Sequence, residues 1–186
     1  MFGISKAGFT LIEILVVIVI IMIVATVVVP NLWQRKPYYE RQQCVRNLNA
    51  LSNMAWQKAI TTHKIHKVHF DLGRRKVFLQ VESDDRDDKG EPLFVPVKGA
   101  YTVTSFSWPK NLDVRNFYIE GFDEIGKYTS GQAHEVWYFV YPEGRAQPVV
   151  INMIDTKDRF AGKPRQIGLV LNPFSALFKE YDTFQH

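Results

Sequence analysis

FTLIEILVVIVIIMIVATVVV, residues 9–29, is the stretch that sets the class of this chain, polar only at Thr10, Glu13 and Thr26. As a helix rising about 1.5 Å per residue it reaches roughly 31 Å, the thickness of a bilayer's hydrocarbon core. A secretory signal peptide has an apolar region of only about 7–15 residues and then an A-x-A-like cleavage site, and no such site follows here. A buried core helix keeps some polar face, which this run lacks. The run therefore reads as one membrane-spanning helix. Its many Val and Ile residues lower helix propensity, so the helix forms because lipid offers the backbone no other partner. Pro30 follows directly, where its ring removes a backbone donor and favours a kink.

The rest of the chain is ordinary. Its 186 residues are 46% hydrophobic and 23% charged, which excludes wholesale disorder and fibrous repeats. A mean hydropathy of −0.14 excludes a multi-span membrane protein. The lone cysteine, Cys44, cannot close an intrachain disulfide. A net charge of +4 leaves nucleic acid or an anionic surface open as partners without arguing for either.

The residues that open the run are Lys6-Ala7-Gly8-Phe9-Thr10-Leu11-Ile12-Glu13. This segment resembles the processing site of type IV pilins and type II secretion pseudopilins. The resemblance covers residues 1 to about 32, and more loosely up to about residue 60. It implies a cytoplasmic leader cut by a prepilin peptidase between Gly8 and Phe9, followed by N-methylation of the new terminus. It also implies that Glu13 is an assembly residue, attracting the terminal amine of a neighbouring subunit; low dielectric magnifies such an attraction. Pro30 stands where many pilins carry a helix-kinking proline.

One count points the other way. The flank beyond the run holds Arg35, Lys36 and Arg41 against Lys6 and the chain's amine, which alone would keep the large domain cytoplasmic. The resemblance implies the reverse, a single-pass protein of the bacterial inner membrane with its N-terminus cytoplasmic and its C-terminal domain periplasmic. The motif is the more specific of the two signals.

Past the membrane the pattern is α then β. Over residues 38–62, Leu48, Leu51, Ala55 and Ala59 share one helical face, with Cys44 close to it. Residues 67–72 and 76–81 flank Gly73-Arg74-Arg75 as a hairpin, and further strands are expected at 100–107, 116–121, 136–141, 149–153 and 166–171. Pro142-Glu143-Gly144-Arg145 is a turn. Strands after one helix, without βαβ alternation, give an α+β fold with an antiparallel sheet. The expected organisation is a leader at 1–8, a transmembrane helix at 9–30, its amphipathic continuation at 31–62 and a β-rich periplasmic domain at 63–186. The plan resembles the H-type minor pseudopilins, with a C-terminal hairpin.

Chemical sites are poorly supported. The acidic segment 83–91 puts Asp85, Asp87 and Gly90 in EF-hand register, but Lys89 falls where a ligand belongs, so it reads as a solvated loop. His63, His66 and His69 straddle the helix-to-strand change and should diverge, so no metal is expected. No P-loop, G-x-S-x-G or H-E-x-x-H occurs, and neither catalysis nor a cofactor is expected. Lys157, Arg159, Lys163 and Arg165 cluster in a loop at 155–165 with Phe160, a weak match to a phosphate-gripping, base-stacking surface. Gly162-Lys163-Pro164-Arg165 loosely resembles the basic loop of DNA-binding minor pilins, with lysine replacing a bidentate arginine. Asp155 and Asp158 dilute the charge, and nucleic acid is not an expected partner.

The sequence thus reads as a non-catalytic minor pseudopilin that starts, caps or adapts a periplasmic filament for protein export. Its expected partners are the prepilin peptidase, other pseudopilins and an inner-membrane assembly platform. The competing reading is a minor type IV pilin, including a DNA-binding subunit of an uptake pilus.

Overall fold

The computed structural model describes residues 10–98, 104–127 and 135–186, and the backbone alone for 27–35. The chain forms two units, Met1–Lys36 and Pro37–His186. Helix α1 is assigned over Leu11–Thr62 and includes both Pro30 and Pro37. It starts where the Thr10 carbonyl and hydroxyl both accept from the Glu13 amide, at 3.1 and 3.3 Å, an N-cap that satisfies an otherwise orphaned donor. It stops at His63, whose φ of 53° is left-handed.

Within the second unit the helix buries Cys44, Val45, Leu48, Leu51, Ala55 and Ala59 on one face. This is the amphipathic face the three-and-four spacing predicts, and the small Ala55 and Ala59 let strands approach closely. Two antiparallel sheets receive it. In the first, among the described residues, β1 (His66–Asp71), β2 (Lys76–Arg86), β3 (Pro92–Pro96), β4 (Ser105–Ser107), β7 (Glu135–Tyr141) and β8 (Arg145–Ala146) run in the order β3-β2-β1-β7-β8, with β4 also on β2. In the second, β5 (Leu112–Ile119), β6 (Phe122–Asp123), β9 (Val149–Phe160), β10 (Lys163–Asn172) and β11 (Leu177–Tyr181) run β11-β10-β9-β5-β6.

The core lies between sheets and helix. Phe70 of the first sheet meets Phe117 of the second edge to face, with centroids 5.0 Å apart. Fully buried Tyr138 has its hydroxyl 2.6 Å from that of Ser52, which donates in turn to the Leu48 carbonyl, so this buried phenol is not left unsatisfied. Burying each large side chain here contributes about 1.5–3 kcal/mol.

Edges are protected. The Asn49 side chain imitates a strand, donating to the Phe178 carbonyl at 3.2 Å and accepting from its amide at 2.6 Å. Asn152 treats Gln185 the same way, holding the C-terminal tail across the second sheet. The tail crosses so closely that a Cβ on Gly168 would lie 2.4 Å from the Thr183 carbonyl oxygen.

Several strand bounds differ from the sequence reading. Of the strand expected at 100–107, residues 99–103 lie outside the described ones and the remainder is the short β4. The segment 83–91 is not all loop, because β2 extends to Arg86. The loop expected at 155–165 is the upper half of the hairpin β9–β10, closed by a two-residue turn at Ala161 and Gly162. Strands β3 and β11 were not foreseen: two prolines mask the first, and charged residues on the exposed face of LFKEY mask the second.

Candidate functional site

Two regions hold the residues the sequence singles out. The first is the start of α1. Gly8 and Phe9 lie outside the described residues, and Glu13 stands in the first helical turn. Every described side chain of 10–26 is exposed, apolar ones included. Thr26 returns its hydroxyl to the Ile23 carbonyl at 2.7 Å, and Thr10 caps the helix. Both threonines are thereby satisfied within the helix, as a lipid environment demands. The Glu13 carboxylate is the polar group of the segment left over for an outside partner. Among the described residues no helix is long and apolar enough to cross a membrane; the described side chains cover only 10–26 of the 9–29 run.

The second region is the hairpin β9–β10. Pro164 pairs with Arg159 but Arg165 pairs with Asp155, so residues 156–158 bulge out of the ladder. Asp155, wholly buried, organises the bulge. Its Oδ1 accepts from the amides of Lys157 (3.0 Å) and Asp158 (3.1 Å) and from Asn111 Nδ2 (2.8 Å). Arg41 of the helix reaches the same place, its Nη1 donating to Asp158 Oδ2 at 2.6 Å and its Nε lying 3.1 Å from Glu180 Oε1. Gln42 donates to the other oxygen of Glu180 at 2.9 Å. One buried guanidinium thus ties helix, bulge and β11 together.

The four basic residues proposed for DNA are therefore not equivalent. Arg165 donates to Asp182 at 2.6 Å and lies 3.8 Å from Asp158, which raises its pKa and lowers that of Asp182. Lys157, Arg159 and Lys163 are exposed and, among the described residues, have no carboxylate partner. Phe160 at the tip is 71% exposed. The two aspartates thought to dilute the charge face inward, onto Arg41 and backbone amides. Sequence reasoning missed this: it counted Arg41 only as a membrane flank, although a lone arginine beside helical core positions was the available signal.

Other candidates are spread apart. His66 and His69 point to opposite sides of β1, and His63 ends the helix. His69 stacks between Phe78 and Trp137, at 4.5 and 5.8 Å, with Nε2 3.3 Å from Glu135. Burial lowers its pKa against the raising effect of Glu135, and burial likewise lowers that of His66. Cys44 is buried, which pushes its thiol up to about 12 and leaves it protonated and inert at neutral pH. In segment 83–91 Asp84 pairs with Lys64 at 2.8 Å, while Asp87 Oδ1 accepts the amides of Lys89 and Glu91, a turn held by its own carboxylate.

Comparison with known proteins gives three findings. Residues 4–29 match the family model of the prokaryotic N-terminal methylation motif. The chain is 43% identical over 79 residues to the type II secretion system core protein G of Escherichia coli (strain K12), covering 42% of this chain. It spans about half, 51%, of that relative's length. The fold is similar to that of EpsH, a minor pseudopilin from the type 2 secretion system of Vibrio cholerae. One structure of EpsH gives a TM-score of 0.53 at 12% identity, covering 79% of this chain and 99% of that one. A crystal structure of the same protein gives 0.52 at 11% identity, covering 79% and 96%.

Proposed function

We propose that this chain, which carries the methylation motif and has a fold similar to that of EpsH, is a minor pseudopilin of a type II secretion system. In this reading it is a non-catalytic subunit that starts, caps or adapts a periplasmic filament for protein export. The observation that carries the proposal is the union, in one chain, of the motif at 4–29 with an α+β fold similar to that of EpsH.

The physical account follows from the two units. Leader 1–8 stays in the cytoplasm, a prepilin peptidase cuts between Gly8 and Phe9, and the apolar run anchors the product in the inner membrane with the β-rich domain in the periplasm. The exposed apolar surface of 10–26 has two suitable environments, lipid before assembly and other pilin-like helices after it. Glu13 guides the transfer, because a carboxylate in a medium of low dielectric gains strongly from a neighbour's terminal amine. Pro30 weakens the helix locally, giving the subunit a place to bend as it leaves the bilayer. Partners are then other pseudopilins and an inner-membrane assembly platform, and no cofactor takes part.

Intact-mass analysis of the membrane-extracted protein tests the reading. The expected species begins at Phe9 and carries one added methyl group. A mature chain beginning at Met1, or beyond residue 29, overturns it.

A further inference from the structure

Lys157, Arg159, Phe160 and Lys163 form the free end of hairpin β9–β10, and the filament-subunit reading gives them no task. Their place in the second unit is fixed by contacts along the helix. At the far end, Trp56 donates to the Gly144 carbonyl at 2.7 Å and Asn53 faces the Ser175 carbonyl at 3.5 Å. At the near end Arg41 binds Asp158 and Gln42 binds Glu180. Strand β9 therefore runs back toward the helix residues that follow Pro37, and the tip is the part of the hairpin from Lys157 through Lys163. In sequence, Arg41 stands only twelve residues past Val29, the last residue of the apolar run.

Asp158 is bound by Arg41, buried Asp155 by backbone amides, and the exposed Asp182 carboxylate by Arg165, whose guanidinium also lies 5.8 Å from the Phe160 ring centre. Lys157, Arg159 and Lys163, which have no carboxylate partner among the described residues, are thus three exposed cations around one exposed aromatic ring. Cations flanking an exposed aromatic ring are suited to the headgroup layer, where the ring enters the acyl boundary and the cations meet phosphates. We propose that this hairpin tip rests on anionic phospholipid headgroups of the membrane that takes up the apolar run, holding the globular unit against the bilayer until the subunit joins a filament. Duplex DNA offers phosphates too, but three cations make few contacts, and the short tether to the apolar run favours the membrane.

The proposal rests on the anchoring reading, and the test separates the two. The mature full chain is placed in nanodiscs of phosphatidylcholine alone or with phosphatidylglycerol, with a nitroxide on Pro164→Cys; buried Cys44 remains unlabelled. Collision with a neutral nickel chelate reports water, and collision with oxygen reports lipid. Each cation near an anionic surface multiplies occupancy about fivefold, so three give on the order of a hundredfold. Nickel accessibility at 164 is expected to fall roughly fivefold or more in the anionic discs, and to recover at about 1 M salt, where the Debye length is about 3 Å. It should also recover in the K157E/R159E/K163E variant. A label on Phe174→Cys, at a far turn, should stay water-exposed throughout, and an unfolding midpoint equal to the parent's by tryptophan fluorescence confirms that the variant is folded. A label on Ile18→Cys reports insertion: lipid exposure there with equal nickel access at 164 in both discs overturns the proposal alone, whereas water exposure at 18 overturns the anchoring reading. Shielding of 164 by duplex DNA at about 0.15 M salt, without shielding by phosphatidylglycerol, overturns it in favour of a nucleic-acid surface.

Discussion

Glu13 and Arg41 are charged residues with opposite situations. Glu13 lies on a helix whose neighbours are apolar and exposed, and its carboxylate has no partner among the described residues. Replacing it with leucine removes a charge that costs on the order of 2.5–3.5 kcal/mol at mid-membrane and less near the interface. The E13L chain should therefore insert as well as the parent but co-purify less with the filament partners proposed for it. Equal recovery of partners would reduce Glu13 to a tolerated acid. Arg41 is the reverse, buried and held by three carboxylates, Asp155 at 3.9 Å being the most distant. Arg41→Ala removes the buried cation these carboxylates share and leaves them only neutral donors and the more distant Arg165, a loss of about 3 kcal/mol. Arg86→Ala, which removes an exposed pair with Glu82, should cost about 1 kcal/mol or less. Denaturant unfolding in detergent, followed by tryptophan fluorescence, distinguishes the two variants.

At the scale of elements, the C-terminal tail behaves as a strap over β9 and β10. Gly168 makes room for it: a methyl group there would lie 2.4 Å from the Thr183 oxygen and 2.7 Å from Gln185 Cγ. Gly168→Ala should destabilise the chain by about 1–3 kcal/mol through overpacking. In a chain ending at residue 182 the same change should be near neutral, and a double-mutant cycle on unfolding midpoints measures the difference. Local pattern made much of this architecture readable: the helical face of Leu48, Leu51, Ala55 and Ala59, the hairpin around Gly73, and the turn at 142–145. What escaped had no local signal. The ladder of β9 and β10 resumes at Arg159 and Phe160, beyond the bulge at 156–158, where Asp155 accepts backbone amides and Asp158 accepts from Arg41. That arrangement joins residues 117 positions apart, which no periodicity records. The motif at 4–29 was legible because it is a contiguous stretch of sequence; the cluster at Arg41 was not, because only folding brings its members together.

At the scale of the whole molecule, stability should depend on pH in a direction set by the two histidines buried among the described residues, His66 and His69. Burial lowers the pKa of His66 and His69 below the ordinary value of 6.5, favouring the neutral ring in the folded chain relative to the unfolded one. As pH falls through 6.5 the unfolded chain takes up protons first, so stability is full above that value and declines below it. Unfolding midpoints should drop between about pH 7.5 and 5, and His69→Phe, which keeps the ring ladder with Phe78 and Trp137, should flatten the decline. An unchanged slope in that variant would assign the effect elsewhere. The sealed edges of both sheets have a consequence of another kind. Strands β6 and β8 have two residues each, β3 begins and ends in proline, and β11 gives its outward amide and carbonyl at Phe178 to Asn49. Crowded copies therefore find few places for strand addition, the route to cross-β aggregation. Contacts between copies are left to side chains and helix faces, and a polymer joined that way can be taken apart again.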